Sequence, residues 1–98
     1  MINVVIKKSN ILIKGHANFA ELGKDIVCAS VSSMVTLAIN SIISIDENAI
    51  EYNQNDNSIE IIKLNDNESA GKILETLILM FVELAEDYPK NIKIRNEE

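Results

Sequence analysis

The chain reads as an α+β domain of order ββαββαβ, a mainly antiparallel sheet with two helices packed on one face. Three observations carry that reading. Apolar residues alternate on either side of a polar turn near the N-terminus. Two long segments place apolar residues at helical spacing. Clusters of Asn, Asp and Ser punctuate the rest.

Ile2, Val4 and Ile6 alternate with Asn3, Val5 and Lys7, the pattern of a strand, and after the polar turn Lys8-Ser9-Asn10 a second strand runs from Ile11 to Gly15. The pair predicts a hairpin. Residues 17–24 show no periodicity and contain Gly23, which predicts an exposed loop. From Asp25 a helix is predicted, with Val27, Val31, Met34, Val35, Ala38 and Ile42 on one face and Ser33, Thr36, Asn40 and Ser44 opposite. So few charges over twenty residues predict burial on most sides. Ala49–Tyr52 and Ser58–Leu64 read as strands around Asn53-Gln54-Asn55-Asp56-Asn57, whose residue types tolerate left-handed backbone. A second helix is expected to be capped near Asn65, with Glu68 as capping-box partner. Ala70, Ile73, Leu74, Leu77, Phe81, Leu84 and Tyr88 share its apolar face. Pro89 stops it, and Asn91–Arg95 forms a short last strand with Ile92 and Ile94 inward. The two ββα halves hint at pseudo-symmetry.

At 98 residues the chain suits one domain, 1–98, and its 47% apolar residues with no Trp imply an aliphatic core. The longest apolar run, Leu77–Val82, is six residues, and the N-terminal positive charges follow the apolar stretch instead of preceding it, the reverse of a secretory signal. A cytoplasmic location is the expectation. The single cysteine excludes an intramolecular disulfide, and one His with one Cys does not make a zinc site, so neither metal nor cofactor is expected. A net charge of −6 opposes direct nucleic-acid binding and suits either a basic partner or plain solubility. Ile78, Leu79 and Val82 lie off the main stripe of the second helix, which points to an oligomer contact or to extra core.

The chemistry-bearing segment is Gly15-His16-Ala17, then Gly23, then Asp25-Ile26-Val27-Cys28-Ala29-Ser30. It holds the only histidine and the only cysteine, with eleven residues between them. With Asp25 as N-cap, Cys28 is the third helical residue, where the first-turn N–H groups and the helix dipole favour a thiolate and would also bind an oxyanion. His16 follows the second strand, and an eight-residue loop is long enough to bring it to the cysteine as general acid/base. Residue type alone leaves plainer roles open. Cys28 also suits a small buried apolar residue, His16 a solvated side chain, Asp25 a simple cap, and Gly15 and Gly23 turn geometry alone.

The same segment, extended through Val31-Ser32, resembles the signature of the Prp-type ribosomal-processing cysteine proteases, in residue types and in His-to-Cys spacing. The resemblance implies a homodimeric bacterial protease that removes an N-terminal extension from a large-subunit ribosomal protein (the L-twenty-seven family), cutting after a phenylalanine. It implies Cys28 as nucleophile, His16 as general acid/base, and Asp25, Gly15 and Ala29 as supporting residues. The loop with Ala17, Asn18, Phe19 and Gly23 would close over substrate. The alternatives are a non-catalytic dimeric module that holds a basic ribosomal peptide in the same groove, and a structural dimer without an active site.

Overall fold

The computed structural model describes residues 1–15 and 26–97. Five strands and two helices follow in the order β1 (Ile2–Ile6), β2 (Asn10–Lys14), α1 (Ile26–Ile45), β3 (Ile50–Gln54), β4 (Ser58–Lys63), α2 (Glu68–Asp87) and β5 (Ile92–Asn96). The strands form one sheet ordered β3-β4-β2-β1-β5, antiparallel except where β5 runs parallel to β1. The ββαββαβ order and the single helical layer predicted above are the ones found.

Strand alternation decides which residues meet the helices. Ile2, Val4, Ile11, Ile13, Ile59, Ile61 and Ile92 form the sheet side of one core, closed by Val27, Val31, Val35, Ala38 and Ile42 of α1 and by Ala70, Leu74, Leu77 and Phe81 of α2. Phe81 is fully buried at the centre of the helical layer. The other sheet face carries polar residues such as Asn3, Lys14 and Lys93, aligned across three neighbouring strands.

Three local expectations are corrected. Burial of α1 on most sides does not hold. Ile26, Leu37 and Ile45 are all more than half exposed, because the helix touches the sheet and α2 along only part of its circumference. By length and hydropathy α1 would suffice to cross a membrane, yet its Val27–Ile42 stripe is spent on the core. The cap of α2 is Asn67, not Asn65. The Asn67 side chain accepts the Ala70 N–H at 2.9 Å, while Asn65 accepts the Asn67 N–H at 2.9 Å in the turn just before the helix. The β3–β4 turn uses no left-handed non-glycine residue. The Asn55 side chain accepts instead from the Asn57 and Ser58 N–H groups and the Ser58 hydroxyl, at 3.0–3.1 Å, which holds the turn without positive φ.

Asp46, just past α1, joins the helix ends. Its carboxylate accepts the Asn48 N–H at 2.9 Å and the Asn65 amide at 3.1 Å. The Asn48 hydrogen bond, then that of Asn65, holds its carboxyl below the ordinary range.

Candidate active site

Cys28 is the third of the described residues of α1, which runs from Ile26 to Ile45. The first four N–H groups of a helix have no intrahelical acceptor and attract negative charge. Cys28 lies in that turn, half-buried and packed against the core beside Val27 and Val31. It flanks the buried stripe without belonging to it. Ala29, the next residue, is exposed.

Position along α1 divides the helix into three faces. The core stripe runs Val27-Val31-Val35-Ala38-Ile42. On one flank, Met34, Leu37 and Ser41 meet Ile73, Leu77 and Met80 of α2 around an apolar groove of about 320 Å³. On the other flank, Ser32, Thr36 and Asn40 stand over β3, and with Val35, Ile39, Tyr52, Gln54 and Ile59 they line a second groove of about 160 Å³. Cys28 lies four residues before Ser32, so it continues this second face toward the helix N-terminus.

Gly15 closes β2 at the same end of the sheet. Its N–H donates to the Asn57 carbonyl at 2.8 Å, in the β3–β4 turn next to the strand ends that line the second groove. Its φ is +82°, and a Cβ there would lie 2.5 Å from the Met1 carbonyl oxygen, so only glycine fits. The glycine read from sequence as a turn residue has this specific task.

Of the residues singled out from the sequence, Gly15, Cys28 and Ala29 are therefore placed. His16, Ala17, Asn18, Phe19, Gly23 and Asp25 lie in 16–25, outside the described residues, as does the proposed closure of their loop. Among the described residues no three His, Cys, Asp or Glu side chains gather where they would hold a metal ion. Sequence reasoning missed the groove beside β3. Its signal was present, since Ser32, Thr36 and Asn40 recur every four residues, but Thr36 and Asn40 were read only as part of a polar stripe opposite the core face.

Comparison with known proteins resolves the family. The family model described as "Cysteine protease Prp" matches residues 1–93. The chain belongs to the Prp cysteine protease family. A ribosomal processing cysteine protease Prp from Staphylococcus aureus is 32% identical over 92 residues, covering 90% of this chain and 86% of the relative. Two crystal structures of the S. aureus ribosomal processing protease Prp superpose with a TM-score of 0.89 over 99% of this chain and all of theirs. One, at 27% identity, is in complex with a substrate peptide; the other, at 28%, with a covalently linked product peptide. Membership makes the chain a cysteine protease, and Cys28 is the only cysteine it has.

Proposed function

We propose that the chain is the endopeptidase that removes the N-terminal extension of a large-subunit ribosomal protein of the L-twenty-seven family, cutting after a phenylalanine. The observation that supports this most directly is the position of Cys28, the only cysteine of the chain, half-buried in the first described turn of α1. A relative of this fold holds a covalently linked product peptide, which is what thiol chemistry leaves behind.

The reaction runs in two halves. The Cys28 Sγ thiolate attacks the scissile carbonyl carbon, and the resulting oxyanion is held by first-turn N–H groups of α1. The C–N bond breaks, His16 gives its proton to the departing amine, and a thioester remains on Cys28. His16 then takes a proton from water as the water oxygen attacks the thioester, which releases the new carboxylate and returns the thiol proton to the Cys–His pair. Asp25, Gly15 and Ala29 are assigned supporting roles, and Ala17, Asn18, Phe19 and Gly23 a role toward substrate. No cofactor enters any step.

The enzyme works in the cytoplasm, where ribosomal proteins are made, and as a homodimer joined through the exposed apolar strip on its two helices. Incubation with a ribosomal protein precursor, followed by mass spectrometry of its N-terminus, tests the assignment. Shortening by one fixed extension ending in Phe supports it. An uncut precursor removes it.

A further inference from the structure

The layer between α2 and the sheet is open at one end. Ile11, Ile61 and Leu74, all buried, floor a pocket of about 180 Å³ there, and Lys7, Lys8 and Lys63 stand around it. Main-chain bonds fix the backbone of these lysines. The Lys7 N–H donates to the Asn10 carbonyl across the β1–β2 turn, and the Lys63 N–H donates to the Ser9 carbonyl, both at 2.8 Å. Asp46 follows the last turn of α1 and accepts from the Asn67 amide, at the start of α2, at 3.4 Å. Cys28 stands at the other end of that 20-residue helix, so the pocket and the thiol are separate sites.

Charge at this pocket runs against that of the molecule. The chain carries a net charge of −6, yet three lysines and a single carboxylate, Glu75, line the pocket. Glu75 faces Lys72 at 3.7 Å and Lys63 faces Asp66 at 3.8 Å, while Lys7 and Lys8 pair with no carboxylate among the described residues. A lysine lays its stem along apolar surface and leaves its ammonium at the rim. Gly71 supplies a second, independent observation. It sits inside α2, where glycine is a poor helix former, and its φ is not positive. A Cβ there would meet nothing within 4 Å. No described neighbour therefore demands a glycine, and the space that its missing side chain leaves is part of the pocket.

We infer that this pocket binds a small aliphatic anion, a hydrocarbon of a few carbons that ends in a carboxylate or phosphate. The hydrocarbon lies against Ile11, Ile61 and Leu74 in the space left at Gly71, and the anionic head meets Lys7 and Lys8. At about 180 Å³ the pocket is smaller than the roughly 300 Å³ at which drug-sized sites begin, which limits the occupant to a short chain. Inorganic phosphate forgoes the apolar floor and a neutral hydrocarbon forgoes the lysines, so only an amphiphile uses both. The site lies outside the cleavage chemistry, and its ligand needs no step at Cys28.

Hexyl phosphate and hexanoate, titrated into the full chain at low salt, should shift the amide resonances of Lys8, Lys63 and Gly71 saturably. Inorganic phosphate should bind about tenfold more weakly than hexyl phosphate, or worse. In Gly71→Leu the new side chain follows Leu74 and Ile78 on one helical face and enters the pocket. That chain should melt higher, because leucine favours the helix and gains burial, and it should lose both ligands. Lys7→Ser combined with Lys8→Ser, at two exposed turn positions, should weaken both ligands about tenfold and flatten their salt dependence. Cys28→Ala should bind as the unaltered chain does, so this test and that of the protease reading fail separately. Equal affinity for inorganic phosphate, undiminished binding by Gly71→Leu, or no saturable shift at those amides overturns the assignment. Should Gly71→Leu fail to fold, the lysine pair decides, and unchanged affinity in that variant overturns it.

Discussion

Two residues decide whether the proposed site exists, and they fail in different ways when changed. Cys28 is half-buried on a helix, and alanine keeps helical preference while removing only the thiol. Cys28→Ala should therefore cost about 1 kcal/mol in a urea melt while abolishing precursor cleavage altogether. Turnover persisting in that variant would exclude the thiol as nucleophile. Gly15 behaves in the opposite manner. Any side chain there must adopt φ near +82° and meet the Met1 carbonyl. Gly15→Ala should lose about 2 kcal/mol of stability or more, with activity reduced because the end of β2 shifts against Asn57. A melt unchanged from that of the parent chain would show that the positive φ is not needed. The place of Cys28 near the start of α1 was legible from the helical spacing of Val27, Val31 and Val35, while its assignment as nucleophile came from the family resemblance, since residue type alone left a buried apolar role open. The reason for Gly15 was not, since the contact that forbids a Cβ comes from Met1, fourteen residues away in the chain.

Among the elements, the strands and helices were legible because each buries a periodic face, while the details at their ends were not. Asn65 and Asn67 are the same residue type two positions apart, and both suit a cap. The choice falls to Asn67 because Asn65 is engaged with Asp46 from the end of α1, a contact across nineteen residues that no local pattern contains. Burial of α1 was overestimated for a related reason. Low charge marks a surface that avoids repulsion from a neighbour as readily as one that is buried, and both flanks of α1 border grooves. Asp46 gives this scale its prediction. Its carboxyl sits below the ordinary value of 3.8 in the folded chain, so its hydrogen bonds contribute fully above that value and are lost as pH falls through the lower folded one. Stability should drop as pH is lowered below about 4. Asp46→Ala should flatten that drop while lowering stability at neutral pH. Parallel acid-unfolding curves for the two chains would remove Asp46 as the tie between the helix ends.

For the molecule as a whole, the open question is what meets the apolar strip on the side of the helices away from the sheet. Leu37, Leu79, Met80 and Val82 are 70%, 60%, 45% and 39% exposed, and Leu37 and Met80 line the groove between α1 and α2. Four large apolar side chains on adjoining helices exceed the scattered exposure of an ordinary surface. Leu37 and Met80 stand beside an apolar groove of their own chain, and a two-fold contact between identical chains would set such side chains into the partner's groove. A second copy of this chain is the occupant it suits. Met80→Glu places a charge in the centre of the strip at a helical position that tolerates it. Sedimentation should show the unaltered chain as a dimer and the Met80→Glu chain as a monomer. The melting temperature of the unaltered chain should rise with its concentration, and that of the variant should not. A monomer at every concentration of the unaltered chain would mean that the strip serves some other partner, and the homodimer would be given up.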